Sequence, residues 1–386
     1  MYQFDVEREK GKNTTVHMLY FCVILLLGLG LVTLYSSSYF FADKFFFDGN
    51  YFINKQIFFG AAGLAAFFIF SRVNLETLRK FIMPFVIITA VLCILTRVPG
   101  IGVERYGASR WIVIGPISYQ PSEMVKFILP LYLAHQLDRR SDRLSNFGSL
   151  IPPIFIICIF FGLICMQNNF STGIFILLNA MIIFYLAGIR YRYFIMAVTV
   201  MIPVSALLVF TKEHRVKRLI SFLRPNWDPT GAGYQLNASR DAIVASGFFG
   251  KGIGEGTRKL ASIPEVHTDF IFSSYVEETG YIGILLFIAL IAVFAVLGYK
   301  AALNSQSVFK RLLAAGLTTT IVSQTLLNIA VVSGALPATG IPLPFFSAGG
   351  SSLLTTLICA GLITNVARKN KADESLVLDT ETVNEY

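Results

Sequence analysis

Apolar residues in this chain come in long, nearly unbroken runs separated by short polar clusters. Neither the alternation of a half-buried strand nor the single stripe of a surface helix recurs along it. A run of about 17 to 25 apolar residues lets a helix cross a hydrocarbon core ~30 Å thick. Such runs fall at 16–37, 52–71, 80–97, 122–137, 150–166, 171–188, 194–211, 270–298, 312–335 and 350–367. The pattern predicts an all-α, polytopic membrane protein with about ten transmembrane helices and one long extracytoplasmic loop, 212–269. A short tail, 1–15, precedes the membrane domain at 16–367, and a second tail, 368–386, follows it. The first run is too long for a signal-peptide core and has no small-x-small site after it, so it reads as a retained anchor.

Composition strengthens this picture. Of 386 residues, 55% are hydrophobic and 14% charged, against roughly 25% charged in an ordinary soluble domain. With the amino terminus inside, the inner segments hold 17 basic residues and the short outer loops only Lys44, Arg97, Arg105 and Arg110. That bias follows the positive-inside rule and predicts that both tails are cytoplasmic. The net charge of +9 is then mostly a topology signal, and no nucleic-acid partner is expected. The five cysteines lie inside apolar runs without a C-x-x-C pair, which implies no disulfide framework or metal site.

Ionisable groups are costly in a bilayer, so those at span ends are the first functional candidates. Three outer clusters stand out. In "GASRWIVIGPISYQPSEMVKF", Gly115-Pro116 marks a turn, and Pro121 and Glu123 suit the first turn of a helix. Glu123 and Lys126, three apart, share a helix face; a local ion pair is the plainer alternative, as an interfacial anchor is for Trp111.

The long loop opens on "KEHRVKRLISFLRP", where Lys212, Arg215, Arg218 and Arg224 form a basic side opposite apolar surface. This predicts a helix lying in the membrane interface, its arginines either snorkelling or cradling a lipid pyrophosphate. "GFFGKGIGEGTRK" lacks the G-K-S/T ending of a phosphate loop and reads as a flexible loop bending closely over a groove. The loop closes on "PEVHTDFIF", which brings His267 and Asp269 to the mouth of the eighth run. There a carboxylate beside apolar neighbours can act as a general base, or can simply cap the helix. The third cluster, "PATGIPLPFFSAGGSS", is non-helical and must be buried or line a cavity; its serines, Ser351 among them, and its amides can hold a polar head group.

These motifs, "GASRW", "QPSE", "RPNWDP", "IPEVHTDFIF" and "GIPLPFFSAGGSS", occur in this order, and with them the chain resembles the SEDS family of bacterial cell-envelope polymerases. The likeness spans about residues 20–367. "GLVTLYSSS" and "YFINKQ" are closer to the division type of the family than to the elongation type. The resemblance implies a peptidoglycan glycosyltransferase that polymerises lipid II on the outer face. It also implies a class B penicillin-binding transpeptidase as partner, among other divisome or elongasome membrane proteins. By this likeness Asp269 is the catalytic residue, and Trp111, Glu123 and Lys126 fall on motif positions; Arg110, Arg215, Arg218, His267 and Ser351 join them as substrate-binding candidates. Many members carry Q-P-D where this chain reads Gln167-Asn168-Asn169; Asn169 retains a positional role but cannot carry charge. The leaving pyrophosphate needs stabilisation from arginines or from a divalent ion, Mg or Mn.

Two other classes fit a multi-span protein with a polar cavity. One is a flippase for the same lipid, which would gather its polar groups near the midplane of paired repeats. The other is a non-catalytic scaffold that recruits a transpeptidase, which gives no reason for an aspartate at that mouth.

Overall fold

The computed structural model describes residues 2–105, 107–115, 117–224, 232–256 and 266–368. In chain order the helices are α1 (Tyr2–Phe46), α2 (Tyr51–Phe70), α3 (Leu75–Lys80) and α4 (Ile82–Leu95), then α5 (Pro121–Asp138), α6 (Phe147–Met166), α7 (Phe170–Leu186) and α8 (Tyr191–Phe210). After them come α9 (Glu213–Leu223), α10 (Ala232–Ala245), α11 (Ile271–Leu303), α12 (Val308–Val332) and α13 (Gly350–Ala367). Each of the ten predicted runs falls on a helix. Seven of these helices are long and apolar enough to cross a membrane, and α4 and α7 are shorter apolar ones. The tenth, α5, carries Glu123, Lys126 and Asp138, which is why its apolar signal is weak.

Among the seven long apolar helices the most enclosed are α13 and α12, with 83% and 67% of their apolar windows buried. Around them pack α1, α2, α5, α7 and α11. Without a hydrophobic drive between helices in lipid, small residues allow the close approach. A Cβ on Gly63 of α2 would lie 2.4 Å from Leu357, and one on Gly361 of α13 would lie 2.7 Å from the Phe67 carbonyl. At the other extreme, α8 has no buried residue and packs mainly against α9.

Two features depart from the expected all-helical pattern. Before α5, residues 102–119 form a small antiparallel sheet, β1 (Gly102–Arg105), β2 (Ala108–Ile114) and β3 (Ile117–Tyr119), in the order β1-β2-β3. Gly115, at φ 59°, opens the turn between β2 and β3. Strands this short leave no periodicity that survives beside 20-residue runs.

The second departure is in α11, whose 33 residues would extend about 50 Å as one helix. It breaks at Gly280, at φ 67° and ψ −159°. The break frees backbone groups, and the glycine-rich stretch satisfies them. The Lys251 and Gly252 amides donate to the Glu277 and Glu278 carbonyls at 3.0 Å each. In return the Tyr281 and Ile282 amides donate to Gly247 and Phe248 at 3.1 and 3.3 Å. The expected flexible loop over a groove is therefore corrected: 247–252 is docked backbone-to-backbone into a helix break. The rest of that motif, 257–259, lies outside the described residues, as does Pro116.

Candidate functional site

Asp269 lies in a turn, 266–270, just before α11. The N-cap of α11 is Phe270 and no side chain caps it, so the helix-cap alternative finds no support. The turn is held through three successive carbonyls. His267 O accepts from the Ala348 amide at 2.9 Å, Thr268 O from Ser347 Oγ at 2.6 Å, and Asp269 O from Asn328 Nδ2 at 2.8 Å. The donors come from the 337–349 loop and from α12, which are joined in turn by Asn328 to Ile341 O at 2.9 Å and Gln324 to Pro342 O at 2.8 Å. Gln56 of α2 completes the clasp, donating to Ser347 O at 3.0 Å and accepting from the Gly349 amide at 3.3 Å. A Cβ on Gly340 would lie 3.3 Å from Asp269 Oδ2, so the carboxylate rests against the loop backbone.

Its charge reaches Arg110, which also feels Arg218 and Arg215. Arg110 of β2 donates to the Asn168 carbonyl; Asn168, at a left-handed φ of 58°, returns its amide to Gly107 O at 2.9 Å. Burial pushes the Arg110 guanidinium down to about 10, with the charge of Arg218 and, less strongly, Arg215 acting the same way and Asp269 opposing them. Arg215 of α9 donates to Leu208 O at 2.6 Å and stacks 5.0 Å from the Phe170 ring centroid. A helix thus forms over Glu213–Leu223, within the stretch predicted helical, and the charges of its Arg215 and Arg218 reach Arg110 of β2. Trp111, next along β2, pairs with Val103 of β1 beside an irregularity in the ladder and is half-buried.

The remaining candidates form a closed layer beneath. Lys126 Nζ lies 2.7 Å from Glu123 Oε1 and donates to Gln324 Oε1 at 3.1 Å. Asn169 donates to Ser122 Oγ at 3.3 Å, and Ser351 Oγ accepts from the Gln120 amide at 3.0 Å. His267 packs its ring against Phe52 and Phe41, at 4.2 and 4.9 Å between centroids, and desolvation pushes its imidazole down to about 4. Glu123, Lys126, Asn169, His267 and Ser351 are each only 3–4% exposed, so packing makes them supports of the site and not an open lining. Lys126 also borders a small cavity of about 10 Å³ between α5, α7 and α12, which Asp269 does not line. Gln324 ties Lys126 to the 337–349 loop, and Asn328 ties Asp269 to the same loop. Those two amides, one turn apart on an apolar run, are the residues sequence reasoning missed. Their rarity inside a span was the available signal.

Against known families, the FtsW/RodA/SpoVE model, described as cell cycle protein, matches residues 16–372. The chain belongs to the FtsW/RodA/SpoVE family. Among its relatives are the probable peptidoglycan glycosyltransferases FtsW of Borreliella burgdorferi, 38% identical over 90% of this chain and 94% of that protein, and of Trichlorobacter lovleyi, 35% identical over 89% and 91%. Stage V sporulation protein E of Bacillus subtilis is 34% identical over 92% and 97%. Among solved structures, one from a peptidoglycan synthase complex that coordinates polymerization and crosslinking superposes with a TM-score of 0.76, at 27% identity over 91% of this chain and 96% of that one. Rod shape determining protein RodA of Thermus thermophilus follows at 0.67, with 25% identity over 91% and 95%. These matches bear out the resemblance drawn from the motifs, and with it the polytopic helical architecture of an FtsW/RodA/SpoVE protein.

Proposed function

We propose that this FtsW/RodA/SpoVE member is a peptidoglycan glycosyltransferase of the division type, polymerising lipid II into glycan strands at the outer face of the bacterial cytoplasmic membrane. The observation that carries the reading is Asp269, its carbonyl held by Asn328 and its carboxylate set against the Gly340 backbone, acting by charge on Arg110, which Arg215 and Arg218 also influence. The names of the FtsW relatives support the substrate class. Asp269 takes the proton of the acceptor sugar hydroxyl while that oxygen bonds to the donor's anomeric carbon. The bond from that carbon to the polyprenyl pyrophosphate breaks, and the electron pair leaves with an already anionic group that the arginines stabilise. Among the described residues no three or more of His, Cys, Asp or Glu gather as a cation site, and no step here runs through a metal ion.

The neighbouring synthase complex supports a crosslinking partner, and a class B transpeptidase is the partner we assign. A flippase reading is disfavoured because the polar groups gather at one end of the bundle, not at its middle. The test is purified protein, with and without that transpeptidase, given fluorescent lipid II. Wild type yields polymer. Asp269→Asn, which keeps the size of the side chain but cannot take a proton, accumulates normally and loses about 10² to 10⁴ in rate. Near-normal polymer from that variant removes Asp269 from the chemistry.

A further inference from the structure

The break in α11 lies behind Asp269 at a fixed distance. Glu277 follows it by eight residues, about 12 Å along a helix. The half-helix between them has no free face: every residue from Ile271 to Glu278 is buried. Its leading end presents Asp269, clasped by Asn328. Its trailing end is set by Gly280 and by the docked, irregular segment 247–252. There two carboxylates are buried in apolar surroundings, Glu277 at 0% and Glu278 at 4% exposure. Glu277 Oε1 meets Lys251 Nζ of the docked segment at 2.7 Å, and Glu278 Oε1 accepts from Ser36 Oγ of α1 at 2.6 Å.

Neither carboxylate is near enough to act on a sugar held at Asp269. Nor is the ion pair explained by stability, since apolar residues of similar volume are often as stable there; the best-attested use of such pairs is to specify one register. Here the register is that of an irregular segment against a helix break. The close Gly250–Gly280 approach and the backbone bonds set the alignment, and the Lys251–Glu277 pair ties it by side chains. We propose that Lys251 and Glu277 are positioning residues for Asp269: by locking segment 247–252 into the α11 break, they fix where the half-helix 271–279 presents the carboxylate. The proposal rests on the reading of Asp269 as the base. The half-helix is enclosed on every side, so a shift at its trailing end is passed to its leading end, where misplacement by about 1 Å costs up to ~10² in rate.

The experiment measures kcat and KM for fluorescent lipid II, with full-length protein and the transpeptidase, for Lys251→Met, Glu277→Gln and the double variant. Each single variant is expected to lower kcat about tenfold with KM within about twofold, because orientation is lost and binding is not. The double variant should be no worse than the weaker single, because both changes undo one lock. Single variants with kcat within twofold of wild type, or a double variant whose defects multiply, overturn the proposal. Should the single variants fail to accumulate, Glu277→Asp keeps both charges and withdraws the carboxylate by one methylene. A tenfold fall in its kcat sustains the lock, and an unchanged kcat overturns it. Asp269→Asn in the same assay separates the two ideas: its polymerisation removes the base, while its inactivity beside a fully active Lys251→Met removes only the lock.

Discussion

Lys126 keeps its ammonium 2.7 Å from Glu123 with 2% and 4% of the two side chains exposed, and the energetics follow from that burial. Removing one charge leaves the other uncompensated in an apolar interior, which typically costs ~3–5 kcal/mol, whereas replacing both by neutral groups is often neutral. Lys126→Met alone should therefore sharply lower the thermal midpoint in detergent, and Glu123→Gln with Lys126→Met should restore most of it. Equal losses in the two would show that the pair is not coupled. His267 gives the pH term. Its folded value, about 4, lies below the usual 6.5, so the unfolded chain binds the extra proton between those values. Stability from this group is complete above about 6.5 and falls as pH drops towards 4, by up to ~3 kcal/mol. The difference in midpoint between wild type and His267→Gln, followed from pH 7 to 4, should show that slope; parallel curves would deny it. The identity of these groups was legible in the sequence. Their enclosure was not, because exposure depends on what packs over a side chain.

At the scale of elements, the glycine-rich stretch separates local strain from tertiary fit. Gly250 and Gly254 both have left-handed φ, 78° and 91°, but a Cβ on Gly250 would lie 2.2 Å from Glu278 O while one on Gly254 meets nothing within 4 Å. Gly254→Ala should cost about 1–2 kcal/mol, the price of left-handed backbone alone. Gly250→Ala must in addition expel segment 247–252 from the α11 break and should lower the midpoint and polymerisation far more. Similar effects of the two would mean that the docked segment contributes little. The runs of the ten long helices were legible because burying a 20-residue apolar stretch leaves few alternatives. The break at Gly280 was not, since a lone glycine inside an apolar run is compatible with an unbroken helix.

For the whole molecule, the structure sets the Asp269 cluster at one end of the bundle. At the other end the charges include Arg79, 2.6 Å from Asp138. The charge bias predicts that the first end faces outward. A cysteine at exposed Glu255 should react with an impermeant thiol reagent on intact spheroplasts. One at Glu76, 62% exposed, should react only after lysis. The reverse pattern would invert the topology and place the proposed chemistry in the cytoplasm.

The sequence by itself determined the spans, the charge asymmetry between loops, and the motif set that carries family membership, because these depend on local composition and on residue identity in order. Only the tertiary structure decided which polar groups meet. That Asn328 of α12 holds the carbonyl of Asp269, 59 residues earlier, depends on how α12 sits against the turn before α11. So, for its own neighbours, does the placing of Arg110, from a three-stranded sheet, within reach of the charges of Arg215 and Arg218, from a helix over 100 residues later. Such meetings arise from the packing of distant segments around a shared core, which no single stretch of chain records.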